Sequence, residues 1–349
     1  MEGIDAAQKL VYAPLADLDR QPGNRAASPL RRPARSHGRF GMVAPALTHS
    51  HSRDRITSAS SDSLSVAAPA KLNLFLEILG KRPDGYHDLH SLMVAVNLFD
   101  TLELRRRTGS AIELECDPPG LPTGPENLVY KAAERLRLHA HRPALGASIH
   151  LAKRIPAQAG LAGGSSDAAA AILGLNLLWN LNLPEAELAA VAAEVGSDVA
   201  FFLSLSAAWC TGRGEIVSPE TASRSFDVVL VCPPVGLGTA EVYRSLQVSS
   251  VPVDGSAARA AFRAGNPEAL GAALFNRLQP AAFHLAPVVE TVYRRLSGLN
   301  PAGCLMSGSG SAVFALCRDA HEADRVANEF RATRPPAEPE SRVMVVRTI

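Results

Sequence analysis

The sequence predicts an α+β protein made of two successive units. Strand-like runs dominate residues 66–116, and helical text covers 127–139, 166–179 and 184–195. Beyond Gly212 the pattern restarts, with strand Val228–Cys232, helix Pro287–Ser297 and strand Ala312–Cys317. A chain of 349 residues is long enough for about two domains. The boundary is expected near residue 220, dividing 65–220 from 221–349.

Composition narrows the partners. Hydrophobic residues make up 47% and charged residues 20%, enough apolar material for a sizeable core. The net charge is +1, from 35 basic and 34 acidic residues. No broad basic field exists to grip nucleic acid or an anionic membrane, so an anionic ligand must be held locally. A small-molecule partner is expected, on a monomer or weak homodimer. The five cysteines (Cys116, Cys210, Cys232, Cys304, Cys317) are far apart and form no Cys-x-x-Cys pair. They read as buried thiols of a reduced, cytoplasmic protein rather than a disulfide framework or zinc site. His139, His141 and His150 lack acidic or cysteine company at ligand spacing, so no metal site is expected from protein side chains. No apolar run reaches the roughly 20 residues needed to span a bilayer.

Along the chain, residues 1–64 are expected to be a disordered extension, rich in turn formers and without periodicity. Glu2, Asp5, Asp17 and Asp19 argue against a transit peptide, and a translation start at Met42 would explain the segment equally well. Order should begin near Ser65 with a bent strand pair over 66–79. A turn at Lys81-Arg82-Pro83-Asp84-Gly85 follows. Further strands are expected at Leu92–Val96, Thr101–Arg105, Ala111–Cys116 and Ala147–Leu151, with a helix at Asn127–His139. Helices should run from Ser166 to Trp179 and from Pro184 to Val195, stopping at Gly196. A long helical stretch is expected around Pro267–Leu278.

The strongest local signal is Ile155-Pro156-Ala157-Gln158-Ala159-Gly160-Leu161-Ala162-Gly163-Gly164-Ser165-Ser166-Asp167. Small residues let the backbone approach a ligand. A helix opening there aims unpaired N–H groups and its positive dipole end at the same spot. No Gly-Lys-Ser/Thr follows, so it is not a Walker A loop, and no dinucleotide fingerprint is present. A glycine loop ending in a serine N-cap is the bland alternative.

Two further segments matter. Asp198, in Gly196-Ser197-Asp198-Val199-Ala200-Phe201-Phe202, is a carboxylate between a helix end and an apolar run. Taken alone it is a cap or salt-bridge partner. Lys71, beside Asn73 in a largely apolar strand, reads alone as an edge lysine. Near the C-terminus, Met306-Ser307-Gly308-Ser309-Gly310-Ser311 stands directly before a strand, where a ligand-facing loop is expected.

Together these segments resemble the GHMP kinase superfamily. Ala68-Pro69-Ala70-Lys71-Leu72-Asn73-Leu74, the central glycine loop and Met306-Ser307-Gly308-Ser309-Gly310 occur in the family's order. Arg82-Pro83-Asp84-Gly85-Tyr86-His87 is similar to the branch that acts on a CDP-linked alcohol, CDP-methylerythritol. The resemblance covers about residues 65–320. It implies a ribosomal protein S5 domain 2-like N-terminal domain and a ferredoxin-like C-terminal domain. It implies ATP as phosphoryl donor, with Mg2+ bridging the phosphates, and a hydroxyl of the CDP-linked alcohol as acceptor. By the same resemblance Lys71 and Asp198 are catalytic. Pro156, Ala159, Gly160, Leu161, Ala162, Gly163, Gly164, Ser165 and Ser166 hold the nucleotide. Asn73, Tyr86, His87 and Thr239 bind the acceptor, and Ser307, Gly308, Ser309 and Gly310 form a second phosphate loop. Departures from the family pattern are Ala162 for glycine, Ala200 for proline and Leu183 for a Ser/Thr cap. The rival readings are a sister kinase for another alcohol and a non-catalytic nucleotide or sugar sensor. A sensor would be marked by loss of the lysine or aspartate, and both remain.

Overall fold

The computed structural model describes residues 55–204, 206–336 and 338–349. Expectations for residues 1–54 lie outside them. The first strand, β1 (Ile56–Ala59), pairs antiparallel with β2 (Ser63–Lys81), so order begins before Ser65. The residues seen as polar text there are edge-strand residues, which face solvent and need no apolar alternation.

Strand β2 pairs antiparallel with β3 (His87–Arg107) through the Arg82–Tyr86 turn, where Gly85 has φ +86°. Register shifts at Pro69/Ala70, Asn73/Phe75 and Ile78/Gly80 bend β2 without breaking it. Two separate strands were expected where β3 is continuous. The apolar pattern lapses at Asn97 and Asp100, but Asp100 is held by the backbone N–H groups of Arg154 and Ile155 and by Lys153, so the strand runs on.

Strands β4 (Ile112–Asp117) and β5 (Gly146–Ala152) are parallel and joined by helix α1 (Leu128–His139), as a parallel pair requires. Then come α2 (Gly163–Leu178), α3 (Glu185–Val195), the single turn α4 (Phe201–Ser204), β6 (Ala207–Thr211) and β7 (Ile216–Pro219). The first sheet has the order β1-β2-β3-β5-β4, with β6 and β7 added beside β3. The alanine run Ala168–Ala171 brings α2 close to this sheet. A Cβ on Gly174 would meet Leu104 Cδ1 at 2.3 Å.

The rest of the chain runs through β8 (Asp227–Cys232), α5 (Thr239–Arg244), α6 (Ser256–Ala264), α7 (Pro267–Ala272), β9 (Phe275–Asn276), α8 (Gln279–Leu285) and α9 (Pro287–Ser297). It ends with β10 (Gly303–Met306), β11 (Val313–Cys317), α10 (Ala320–Ala332) and β12 (Arg342–Arg347). The second sheet is antiparallel in the order β10-β11-β8-β12, the split βαββαβ arrangement of ferredoxin-like folds. The long helix expected over 267–278 is corrected: it stops at Ala272, and Phe275–Asn276 joins the first sheet beside β2. Tertiary bonds outweigh the helical composition there. Asn276 Nδ2 donates to the carbonyls of Met306 and Gly308, and Arg277 pairs with Glu77.

Strand β8 is buried on both faces. Val228, Leu230 and Cys232 face Leu72, Leu74, Leu92 and Val94 of the first sheet, while Val229 and Val231 face Val289, Val292 and Phe330 of α9 and α10. The period of two thus welds the sheets through one core and the helices through another.

Candidate active site

The helix α2 opens without a side-chain cap and with no acidic residue in its first turn. Its first backbone N–H groups therefore point, unpaired by the helix, into a cleft of about 1150 Å³. The helix begins at Gly163 rather than Ser166. The turn into it is left-handed: Gly160 has φ +73° and Ala162 has φ +52°. That conformation explains why glycine suits position 162 better; alanine adopts it at a cost of about 1 kcal/mol.

Behind this turn lies the second loop. Ser307 Oγ donates to Gly160 O at 3.1 Å, and Asn73 N donates to Ser307 Oγ at 3.3 Å. Gly308 has φ +56°, and a Cβ there would sit 2.9 Å from Gly160 O and 3.2 Å from Lys71 Nζ. Both positions need glycine because backbone meets backbone.

Lys71, only 4% exposed, lies beneath both loops. Its ammonium donates to Asn73 Oδ1 and, at 3.1 Å, to Gly160 O. It faces Asp198 Oδ2 at 3.9 Å. Burial lowers the Lys71 pKa, while Asp198 opposes the shift. Asn73 is fixed by its own bond to Ser91 Oγ at 2.7 Å, which in turn donates to Phe75 O at 2.8 Å. Cys210, buried nearby, has its thiol pushed up to about 12 by burial and remains a neutral neighbour.

The other end of the cleft is aromatic. The exposed Tyr86 ring lies under the Arg213 guanidinium at 4.7 Å, and the His87 and Tyr243 rings are 5.1 Å apart. Burial, with Lys81 nearby, holds His87 below the usual imidazole range, so it is neutral near pH 7. Thr239 Oγ1 is 3.0 Å from Ser309 Oγ, tying α5 to the second loop.

Under α2, Lys153 Nζ donates to Asp100 and, at 2.7 Å, to Asp167 Oδ2. Burial penalises the Lys153 cation, but Asp167 and Asp100 more than offset it and raise its pKa. This cluster anchors the start of α2 to β3.

Lys71, Asn73, Tyr86, His87, Pro156, Ala159–Ser165, Asp198, Thr239, Gly308 and Ser309 all line the one cleft. Ser166, Ser307 and Gly310 stand behind its wall. Ser166 is buried on the inner face of α2, Ser307 is committed to the other loop, and Gly310 packs on Met306. Sequence reasoning missed Tyr243, Arg213 and Lys153. Tyr243 could have been found one helical turn after Thr239; for Arg213 and Lys153 only tertiary proximity reveals the site.

The chain matches the family described as GHMP kinases N terminal domain over residues 127–204, and GHMP kinases C terminal over 258–335. It is 40% identical over 287 residues to the 4-diphosphocytidyl-2-C-methyl-D-erythritol kinase of Pelotomaculum thermopropionicum, covering 82% of this chain and 98% of that protein. It is 41% identical over 270 residues to the enzyme of the same name from Geobacillus thermodenitrificans, covering 77% and 93%. A crystal structure of 4-(cytidine 5'-diphospho)-2C-methyl-D-erythritol kinase superposes with a TM-score of 0.67 at 35% identity, covering 81% and 98%. L. major mevalonate kinase shares the fold alone, with a TM-score of 0.63 at 15% identity, covering 84% and 97%. The fold and the cleft define the class as that of the GHMP kinases. Within it, the chain belongs to the family of 4-diphosphocytidyl-2-C-methyl-D-erythritol kinases.

Proposed function

We infer that the protein transfers the γ-phosphoryl group of ATP to the 2-hydroxyl of 4-diphosphocytidyl-2-C-methyl-D-erythritol. The products are the 2-phosphate and ADP, a step of non-mevalonate (MEP) isoprenoid precursor biosynthesis. The observation that carries this reading is the 3.9 Å approach of Lys71 Nζ to Asp198 Oδ2, between the open start of α2 and the Tyr86–His87 wall. Residues 65–220 and 221–349 act as two lobes around the cleft.

Phosphoryl transfer asks a protein for positioning and charge neutralisation. The N–H groups at the start of α2 hold the β- and γ-phosphates, and Gly308 and Ser309 close on them from the second loop. The acceptor oxygen forms its bond to the γ-phosphorus as the bond to the bridging oxygen of ADP breaks. The hydroxyl proton passes to Asp198 and then to solvent. Lys71 neutralises charge at the acceptor oxygen, while Asn73 orients the hydroxyl. Tyr86 stacks the cytosine, and neutral His87 bonds its edge.

Among the described residues no group of three or more His, Cys, Asp or Glu side chains is arranged to hold a metal. Mg2+ of the ATP complex would take oxygen ligands from the wall of the cleft. Asp167 Oδ1 and Ser166 Oγ, buried oxygens without a hydrogen-bond partner among the described residues, and the Ser165 hydroxyl would be candidates to hold it. Mg2+ supplies neutralisation of the charge on the leaving ADP.

The test is incubation with ATP and the CDP-alcohol, followed by detection of the 2-phosphate. No product with this acceptor, alongside turnover of homoserine or mevalonate, would overturn the reading in favour of a sister kinase.

A further inference from the structure

The turn between β6 and β7 has no part in the chemistry above, yet it is built with care. Gly212 and Gly214 both have positive φ, 68° and 109°, and present Arg213 between them. Leu89 N donates to Gly212 O at 2.8 Å, fastening the turn to β3. Arg213 N donates to Glu215 Oε2 at 2.5 Å, and the Arg213 Nε lies 3.5 Å from Glu215 Oε1. The guanidinium stacks on Tyr86, while a Cβ on Gly214 would lie 3.5 Å from Asp198 Oδ1. One short turn therefore touches both the aromatic wall and the carboxylate.

The charges of the cleft make this turn significant. At the α2 end, Lys71 and Lys153 are engaged with Asp198 and with Asp100 and Asp167. At the aromatic end, among the described residues, three cations line the wall: Lys81, Arg213 and Arg244. Lys81 and Arg244 are exposed side chains, whereas Arg213 is half-buried, with its guanidinium carbon 4.7 Å from the centroid of the Tyr86 ring. A planar, pre-oriented guanidinium fork matches phosphate oxygens better than a solvated ammonium does.

We propose that Arg213 is a specificity-determining residue that binds the diphosphate joining the cytidine to the alcohol, while backing the Tyr86 ring on which the base stacks. This rests on the acceptor assigned above. It gives the enzyme a reason to prefer the CDP-linked alcohol over the free alcohol: an acceptor without the diphosphate forgoes the charge-assisted bonds to this guanidinium.

The experiment uses the full chain with Arg213→Met and Arg213→Lys. Steady-state kinetics give the KM of each substrate, and calorimetry gives the affinity for CDP and for cytidine. Arg213→Met should raise the acceptor KM by about 10- to 100-fold, the range for loss of a charge-assisted hydrogen bond, with the ATP KM and melting temperature unchanged. CDP affinity should fall by a similar factor and cytidine affinity far less, while Arg213→Lys recovers part of both losses. Equal weakening of CDP and cytidine would assign Arg213 to the base and overturn the proposal, as would no change in either. Because calorimetry reads the diphosphate directly, a wild-type protein inactive on the CDP-alcohol would sink the functional reading without deciding this one.

Discussion

A Cβ placed on Gly160 would lie 2.0 Å from the carbonyl oxygen of Ser307, so the two phosphate-loop segments interlock backbone to backbone. Gly160→Ala adds that clash to a left-handed φ of 73° and should cost about 2–4 kcal/mol, combining overpacking with strain. Gly164 is the contrasting position. Its Cβ would meet only Leu128 Cδ1 at 3.6 Å, and its φ is not left-handed. Gly164→Val should therefore fold, and raise the ATP KM far more than the acceptor KM by crowding the open helix start. Melting temperatures and both KM values check the pair; a Gly160→Ala protein as stable as wild type would refute the interlock.

Asp198→Asn removes the proton acceptor while leaving the separate helix start intact. Turnover should fall by about 10²- to 10⁴-fold with ATP still bound. Lys71→Met should give a comparable loss without lowering the melting temperature, because a desolvated cation is removed. The double variant should lose much less than the product of the two, as residues acting as a unit do. Single-turnover phosphoryl transfer decides it, and near wild-type rates in Asp198→Asn would leave that residue a structural partner.

Glu77 tests how β2 is tied to the segments on either side of β9. It is fully buried, pairs with Arg277 at 2.7 Å, and accepts from Ile78 N at 2.8 Å and Val253 N at 2.7 Å. Burial raises its pKa, but the Arg277 and backbone bonds outweigh that and lower it overall. A depressed folded pKa stabilises above the unfolded value and is lost as pH falls through the folded one. Glu77→Gln should thus cost about 3–5 kcal/mol at pH 7, leaving Arg277 unpaired, and the difference from wild type should shrink below about pH 4. Urea titrations at pH 7 and pH 3.5 measure it; a gap that widens on acidification contradicts the pairing.

Removing residues 1–62 should destabilise the protein by about 1–3 kcal/mol, although composition alone would make the whole segment dispensable. The deletion takes away β1 and Arg55. The Arg55 guanidinium donates to Ala67 O at 2.9 Å and to Phe202 O, and burial lowers its pKa to about 10 while Asp167 opposes the shift. Arg55→Met in the full chain should reproduce most of the loss. Unchanged melting in both variants would return β1 to the status of a dispensable edge.

What the sequence determined by itself is what local chemistry encodes. Period-two alternation specifies β2 and β5, short continuous apolar runs specify β8 and β11, and helix-period text specifies α1 and α9. The glycine-serine start of α2 was legible because an anion-binding helix end is written in contiguous residues, and the order of Lys71, Gly160, Asp198 and Ser309 was legible through resemblance. Only the tertiary structure decided which distant residues meet. That β3 runs through Asp100 depends on Lys153 and on N–H groups 54 and 55 positions away. That Phe275–Asn276 is a strand depends on β2 and on carbonyls of the second loop. Arg213 joined the cleft, and Ser166 left it, for the same reason. A side chain's partners are set by packing across the fold, and the free energy of those contacts exceeds the local propensity from which a sequence is read.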